Sequence, residues 1–398
     1  MSGVFASGVL SRLLAPARIA GAALAAAAAL GASAGQAQEP LRIGSILSVT
    51  GPAAFLGEDM KAGMEIAVEE INAAGGIDGR KIEWIFYDAE SQSQKALSAT
   101  RRLLNQDRVD MIVGGGSMSG IALAMAPMAE QAKVPFISTE GAMNIVEPVK
   151  DRRWTFKSTV DDDAVLDRIA DYLAKNNIRK VALLADSSGF GQSAVEQMKR
   201  LAPKRQLEAT YESFNPSDTD MTAQLTRIRD SGAEAVICWT VTPAGVVFLK
   251  QAHQLGLGDR KLIHSYGFVS QRYMELAGDA ARDLLLVSVK FPVGDQLPDD
   301  DPLKPRVRSL METFEKRYGR LPNQYVAQTY DAIHLARLAL EKGGKDRAKV
   351  REALEGITAY HGTGGVFTFT PERHSGLSKD DIVMLNWKDS RFNLADYR

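Results

Sequence analysis

The chain alternates apolar runs with helical patterns, and loops of small residues join them. An apolar run at residues 109–113 leads into a glycine- and serine-rich loop at 114–120 and then into an Ala- and Met-rich helical pattern at 121–131. A second run at 134–137 and a second small-residue loop at 138–144 follow. Strand and helix patterns that alternate at this spacing along the sequence predict a parallel, doubly wound α/β sheet. Because such a sheet binds ligands at the carboxyl ends of its strands, we expect a ligand site at these two loops.

The first loop has the features of an anion site. Ser119 stands just before the helical pattern, where a side-chain oxygen can cap the first turn. The free backbone N–H groups at the helix start and the positive end of its dipole attract a negative charge. We therefore predict that this loop binds a carboxylate. The alternative is a capped helix that holds no ligand.

The same alternation recurs in the second half of the chain. Apolar runs at 181–185, 235–239 and 261–264 alternate with helical patterns, which predicts a second α/β lobe of the same architecture. An acidic, proline-rich stretch at 292–305 follows, and we interpret it as a surface connection. Helical patterns and a final strand at 382–387 complete the chain.

Composition excludes several classes of protein. The chain has 398 residues, 45% of them hydrophobic, and can bury the cores of two or more domains. Its formal net charge of −1 gives no reason to expect nucleic acid or an anionic membrane as a partner. Cys238 is the only cysteine, so an internal disulfide and a zinc–cysteine site are excluded. Cys238 lies in an apolar run, and we expect it in the core.

Residues 1–37 have the pattern of a secretory signal peptide. Arg12 and Arg18 are the only charges, an apolar Ala-rich run follows, and small residues permit cleavage after Ala34 or Ala37. The run is shorter than the roughly 20 residues that span a bilayer, so a membrane anchor is the less favoured alternative. No cysteine lies near the cleavage sites. We expect a soluble periplasmic protein that is not a lipoprotein.

Motifs of catalysis and cofactor binding are incomplete. The loop at 114–120 has Ser119 where a dinucleotide fingerprint needs its third glycine, and it fails as a serine nucleophile elbow. Three acids at 161–163 could suggest a metal, but their position favours a role as helix N-cap and dipole partners. His264 ends an apolar run and either lines a cleft or lies in the core. We predict a binding protein without cofactor or metal, with an α/β enzyme as the less favoured class.

Six short motifs occur together in one known family. They are Gly-Pro-x-Ala-x-x-Gly at 51–57, Ile-Asn-Ala-Ala-Gly-Gly-Ile-Asp-Gly-Arg at 71–80, Tyr-Asp at 87–88, Ser-x-Ser-Gly at 117–120, Val-Pro-x-Ile-Ser at 134–138 and Tyr-Asp-Ala at 330–332. Through them the chain resembles, over nearly all of residues 41–398, the type I periplasmic solute-binding proteins of the branched-chain amino acid (Leu/Ile/Val-binding) class, which serve ABC importers. The resemblance implies two Rossmann-like, doubly wound lobes joined by a hinge of three strand crossings. The ligand is then bound between lobes that close by a hinge motion.

The resemblance also implies bounds and partners. The expected lobes are residues 38–157 with 291–366 for lobe 1, and residues 158–290 with 367–398 for lobe 2. The expected crossings lie near Phe156, near residues 289–292 and near Phe367. The partners would be the inner-membrane permease and ATPase of an ABC importer, and we expect a monomer.

The ligand-binding residues of the family match definite positions here. The serine that binds the ligand carboxylate matches Ser119, and the backbone pair of the next loop matches Ala142 and Met143. The other matching or adjacent positions are Phe55, Leu56, Ser117, Phe190, Trp239, Thr240, Val241, Tyr266 and Phe268. Amino-acid binders of the family hold the ligand ammonium with a carboxylate where this chain has Tyr266, and residues 260–274 contain no Asp or Glu.

The missing carboxylate changes the expected ligand. An ammonium buried without a partner costs several kcal/mol. We therefore predict a carboxylate ligand without an α-ammonium, such as an aromatic or short branched acid, in a pocket lined by aromatic side chains. One alternative is a branched-chain or other amino acid whose ammonium is held by Glu140 or Asp186. Another is a sensor of the same fold that signals to a membrane receptor.

Overall fold

Two sheets organise the structure, a computed structural model that describes residues 38–396. The predicted signal peptide, residues 1–37, lies outside the described residues. Among the residues that are described, no helix has both the length and the apolarity to cross a bilayer.

Lobe 1 is built on a five-stranded parallel sheet. Its strands are β1 Leu41–Leu47, β2 Ile82–Asp88, β3 Met111–Val113, β4 Phe136–Ser138 and β5 Thr155–Lys157, in the order β2-β1-β3-β4-β5. Its first helices are α1 Ala54–Ala73, α2 Ser93–Asn105 and α3 Ser119–Ala132. The strand order reverses at β1, which lies between β2 and β3. The loops after β1 and β3 therefore face the crevice where open α/β sheets bind ligands.

Lobe 2 begins after β5. Its parallel strands are β6 Lys180–Asp186, β7 Glu208–Phe214, β8 Ala235–Trp239, β9 Lys261–His264 and β10 Leu285–Val289. Its helices are α4 Asp162–Lys175, α5 Gly189–Leu201, α6 Thr222–Asp230, α7 Ala244–Gln254 and α8 Gln271–Ala277. All five residues of β8 are buried, as expected for a central strand covered by helices on both faces. Cys238 is fully buried in this strand, so its predicted place in the core is confirmed.

The chain then returns to lobe 1 before it ends in lobe 2. The returning elements are α9 Lys304–Tyr318, α10 Gln324–Gly343, α11 Arg347–Glu355 and the hairpin strands β11 Tyr360–His361 and β12 Val366–Phe367. Helix α10 packs closely on α1, because Gly63 of α1 leaves room for the backbone of Val326. The final strands β13 Ile382–Lys388 and β14 Arg391–Asp396 pair antiparallel and complete a seven-stranded sheet in the order β14-β13-β10-β9-β8-β6-β7. The predicted two-lobed α/β architecture is confirmed.

Three segments connect the lobes, and the third lies later than expected. Ser375 pairs with Lys157 at the edge of β5, so the chain is still in contact with lobe 1 at that residue. Phe369 packs edge-to-face on Phe156, with ring centroids 5.6 Å apart, in the core of lobe 1. The third crossing therefore follows Ser375, and its expected position near Phe367 is wrong. The remaining lobe bounds stay a prediction.

Candidate ligand-binding site

A cavity of about 240 Å³ lies between the two lobes. Lobe 1 contributes the loops after β3 and β4 and part of α1, lobe 2 contributes the loops after β6, β8 and β9, and α10 contributes two side chains. The lining residues are Leu56, Met60, Ser91, Ser93, Ser117, Met118, Ser119, Gly120, Ile121, Thr139, Glu140, Gly141, Thr159, Ser188, Gly189, Phe190, Val241, Tyr266, Gly267, Tyr325 and Gln328. Six of the predicted site residues are among them, namely Leu56, Ser117, Ser119, Phe190, Val241 and Tyr266.

Two serines present hydroxyl groups to this cavity. Ser117 Oγ accepts a hydrogen bond from the Ser48 amide at 3.0 Å, and Ser119 Oγ accepts one from the Ala142 amide at 3.2 Å. Since each oxygen already accepts a bond from the protein, each hydroxyl proton can be donated to a ligand. The amides of Ser119 and Gly120 open α3, where a helix offers no internal acceptor. The loop therefore presents hydrogen-bond donors and favours an anion.

The predicted cap of α3 is wrong. Met118 occupies the N-cap position, and no side chain caps the helix. Ser119 is the first helical residue, and its hydroxyl turns to the loop after β4 instead. A long-range partner has thus replaced the local one.

Glu140 is the one acidic residue that lines the cavity in the described part of the chain. Its Oε1 accepts hydrogen bonds from the amides of Gly115 at 3.1 Å and Ser117 at 2.8 Å, and from the Thr139 hydroxyl at 3.2 Å. Its Oε2 accepts from the Ser138 hydroxyl at 2.7 Å and the Thr139 amide at 3.0 Å. Burial raises the pKa of this carboxyl, although the hydrogen bonds from the Ser138 and Thr139 hydroxyls and from the Gly115 and Ser117 amides lower it. Glu140 therefore serves to hold the loop after β3, where Ser117 has a positive φ of 66°.

Asp186, the other acid considered as an ammonium partner, lies behind the cavity wall. Its Oδ1 accepts from the Ser188 amide at 3.0 Å, and its Oδ2 accepts from the Thr240 hydroxyl at 2.6 Å. Ser188 in turn caps α5 through its side chain. Thr240 is fully buried in this network and does not line the cavity.

Three aromatic rings form one wall. Phe190 and Tyr266 line the cavity, with centroids 5.4 Å apart, and Trp239 packs behind both at 5.5 and 5.9 Å. Trp239 is fully buried, so it supports the wall without contacting the cavity. The Tyr266 hydroxyl donates to Asp162 Oδ1 at 3.3 Å.

Phe55 and Phe268 lie outside the cavity. Phe55 contacts Tyr273 across the lobes at 5.2 Å between centroids. Phe268 stacks on His264 at 3.8 Å and on Tyr273 at 4.2 Å. His264 is completely buried there, and burial lowers its pKa to about 3. Of the two interpretations of His264, the core is the one that the structure supports.

The expected backbone pair already has protein partners. The Ala142 amide donates to Ser119, and the Met143 amide donates to Asp162 Oδ2 and Ser193 Oγ, both at 3.2 Å. Neither Ala142 nor Met143 lines the cavity. The loop 141–143 is therefore fixed by the protein at the positions that the resemblance assigned to the ligand.

The three acids at 161–163 fulfil only part of their predicted role. Asp162 and Asp163 lie in the first turn of α4, but the side chain of Asp161 does not cap the helix. It pairs with Lys157 at 2.5 Å and accepts from the Ser375 hydroxyl at 2.7 Å. Within residues 38–396, no group of three or more His, Cys, Asp and Glu side chains is arranged to hold a metal.

The sequence predictions missed the contribution of α10. Gln328 donates through Nε2 to the Thr139 carbonyl at 3.0 Å, and the Tyr325 hydroxyl donates to the Gly267 carbonyl. Both are large polar residues on a helix buried on nearly all sides. Tyr325 and Gln328 are three residues apart and lie just before the Tyr-Asp-Ala motif at 330–332, and this pattern in the sequence could have indicated their contribution to the site.

Comparison with known proteins identifies the family. The model of the periplasmic binding protein family matches residues 40–390. The chain belongs to this family. One relative of this periplasmic binding protein is Leu/Ile/Val-binding protein homolog 7 of Brucella abortus, which is 27% identical over 92% of this chain and 93% of its own.

Two solved structures share the fold of this periplasmic binding protein. LivJ of Streptococcus pneumoniae, a branched-chain amino acid transporter substrate-binding protein in complex with isoleucine, has a TM-score of 0.76 at 24% identity, over 89% of this chain and 98% of its own. A solute-binding protein of an ABC transporter from Rhodopseudomonas palustris BisB5, in complex with 3,4-dihydroxybenzoic acid, has a TM-score of 0.76 at 23% identity, over 89% and 96%. This periplasmic binding protein is thus a solute-binding protein and not an enzyme.

Proposed function

We propose that the protein captures a small carboxylate that lacks an α-ammonium, such as an aromatic or short branched acid, and delivers it to an ABC importer. The observation that carries this proposal is the unequal polarity of the cavity wall. Hydroxyl and amide donors at Ser117, Ser119 and Gly120 suit a carboxylate, whereas Glu140, the one lining acid in the described residues, is engaged by five donors.

The size and apolar character of the cavity support the same ligand class. Apart from the loop of donors, its walls are largely apolar or aromatic, with Leu56, Ile121, Phe190 and Val241 among them. An apolar cavity of about 150 Å³ is known to hold benzene. A cavity of about 240 Å³ therefore has room for a ring or a branched chain together with its carboxylate.

An amino acid is the competing ligand. The names of the curated relatives favour it, and solved structures of the same fold hold either isoleucine or 3,4-dihydroxybenzoic acid, so the fold accommodates both classes. Discrimination must then come from side chains. Tyr266 offers a neutral oxygen where amino-acid binders of the family have a carboxylate, and a neutral partner compensates poorly for the desolvation of an ammonium.

A thermal-shift screen of the mature protein, residues 38–398, tests the ligand class. The panel contains branched-chain and aromatic amino acids beside benzoate-, phenylacetate- and cinnamate-type acids and short-chain keto acids. A ligand at 100 times its Kd stabilises the folded protein by about 2.7 kcal/mol, which raises the Tm by a few degrees. We expect shifts with acids that lack the amine. Shifts with amino acids alone would contradict the proposal.

The transport role needs its own test, because a sensor of the same fold would bind the same ligand. We propose a periplasmic monomer that docks on an inner-membrane permease and ATPase after removal of residues 1–37. Uptake of a labelled acid into vesicles that contain the permease and ATPase should require the protein. Capture of a receptor without transport subunits would favour the sensor. N-terminal sequencing of the exported protein checks the cleavage site. Light scattering measures the molar mass in solution and so checks that the protein is a monomer.

A further inference from the structure

Asp162 connects the cavity wall to the interface between the lobes. It is the first residue of α4 and is completely buried. Its Oδ1 accepts from the hydroxyl of Tyr266, which lines the cavity. Its Oδ2 accepts from the Met143 amide of lobe 1, and the Ser193 hydroxyl of α5 also bonds to this carboxyl. One side chain thus joins the cavity wall, a lobe 1 loop and a lobe 2 helix.

The lobe 1 loop is held from both sides. Lys157, fully buried at the first crossing, donates from Nζ to the Gly141 carbonyl at 2.7 Å and pairs with Asp161. Asp162 holds the amide of Met143 two residues later. Gly141 lies directly against Tyr266, since a Cβ at this position would be 2.0 Å from the Tyr266 Oη. The position of the tyrosine ring and the position of the loop are therefore interdependent.

We propose that Asp162 is a positioning residue of the ligand site, which holds Tyr266 in the cavity wall and ties the loop 141–143 of lobe 1 to lobe 2 when the lobes close. The proposal rests on the proposed cavity, but it does not depend on the identity of the ligand. Asp162, which does not line the cavity, thereby controls both the closure of the lobes and the shape of the aromatic wall.

Proton binding by this carboxyl follows from the same geometry. Burial raises the pKa of Asp162 from its ordinary 3.8 to about 7, although Lys157 lowers it. In the ionised state Asp162 accepts a hydrogen bond from the Tyr266 hydroxyl. In the neutral state Asp162 can donate to the Tyr266 oxygen, which leaves the tyrosine hydroxyl free to donate to an anionic ligand.

Other charged groups surround Asp162. Lys157 and Asp161 of the crossing act directly on its carboxyl, and the neutral hydroxyl of Tyr266 bonds to it. Asp163 of α4 interacts with Asp161 and with Arg373 before the third crossing, and Glu147 of the loop that follows residue 143 interacts with Asp161 and Asp163. Glu196 of α5 accepts a bond from Asn144. Asp163 is exposed, so replacing it removes the same charge from the same turn and leaves the hydrogen bonds of Asp162 in place.

The burial of Asp162 makes closure of the lobes depend on pH. If opening exposes Asp162, its pKa falls toward 3.8, so closure takes up a proton between about pH 4 and pH 7. Closure, and with it ligand affinity, is favoured as the pH falls through 7 and weakens as it rises. We expect binding about tenfold tighter at pH 6 than at pH 8, a range in which the ligand carboxylate stays ionised.

Calorimetric titration with benzoate and with isoleucine at both pH values tests the proposal. We expect Asp163→Asn to keep the tenfold pH effect. Asp162→Asn should bind as wild type does at pH 6 but lose the pH effect, because a neutral amide is present throughout. Asp162→Ala should bind at least tenfold more weakly at both pH values. A wild-type pH profile in Asp162→Asn, or wild-type affinity in Asp162→Ala, would overturn the proposal.

Hydrogen exchange separates this proposal from the ligand class. If neither probe binds, exchange of the Met143 amide in the protein saturated with whichever acid or amino acid of the thermal-shift panel binds decides the role of Asp162. Exchange of the Met143 amide at least tenfold faster in Asp162→Ala than in wild type and in Asp163→Asn supports the proposal that Asp162 holds this loop. Equal exchange rates in all three proteins would refute it.

Discussion

Gly141 is the position where closure of the two lobes can be blocked with one methyl group. A Cβ there would lie 2.0 Å from Tyr266 Oη and 2.8 Å from Phe190 Cε2, both on lobe 2. The backbone of Gly141 does not have a positive φ, so alanine fits lobe 1 by itself. Gly141→Ala should therefore affect the closed protein and leave the isolated lobes intact.

The size of the effect follows from the cost of overpacking. Forcing a methyl group into a packed contact costs about 1–3 kcal/mol. Because that cost falls on the closed form alone, the Kd should rise about 5- to 150-fold. Calorimetry with the acid that gives the largest thermal shift measures the Kd, and the Tm of the ligand-free protein should stay unchanged.

Gly356→Ala is the matched control for this prediction. Gly356 is exposed after α11, and a Cβ there would meet its nearest neighbour at an ordinary 3.4 Å. It should bind ligand as wild type does. Wild-type affinity in Gly141→Ala as well would refute the reasoning, since the closed arrangement would then not be the ligand-bound one.

Three further substitutions test separate parts of the site and fold. Ser119→Ala removes a hydrogen-bond donor to the ligand and the acceptor of the Ala142 amide. We therefore expect calorimetry to show that the binding free energy weakens by about 1–3 kcal/mol. Unchanged affinity would exclude the serine from the site. Tyr266→Glu introduces a carboxyl at the cavity wall that can hold an ammonium. The Tm shift caused by isoleucine should then increase relative to the Tm shift caused by benzoate. An unchanged ratio of the two shifts would show that this position does not select the ligand. Asp331→Ala leaves the buried amides of Thr363 and Gly364 without their acceptor. Urea unfolding should then show a free energy of unfolding about 2–5 kcal/mol lower than that of wild type. A decrease below about 1 kcal/mol would contradict this role of Asp331.

Much of the fold could be predicted because buried strands and amphipathic helices have different periods. The runs at 235–239 and 261–264 coincide with β8 and β9. Strand β14 was missed because it has only six residues, although Asp389 and Ser390 before it both have positive φ, as a two-residue hairpin turn requires. Helix α8 has seven residues and no side-chain cap, so it gave no periodic signal.

The site was less predictable because its polar groups find partners far away in sequence. The hydroxyl of Ser119 could be placed near the ligand, but its bond to the Ala142 amide depends on how the loop after β4 folds back. Glu140 carries no sequence signal of its role, because its donors come from another loop as well as its own. Gln328 reaches the cavity from a helix that is remote in sequence, and only packing against α1 brings it there.

The most direct test of the central claim compares ligands that differ only in the α-ammonium. Isoleucine and 3-methylpentanoate form one such pair, and phenylalanine and 3-phenylpropanoate form another. Calorimetry on the wild-type protein gives both affinities in each pair. We predict that the acid without the amine binds at least tenfold more tightly, since no lining acid in the described residues is free to hold an ammonium. Tighter binding of the amino acid in both pairs would contradict the claim.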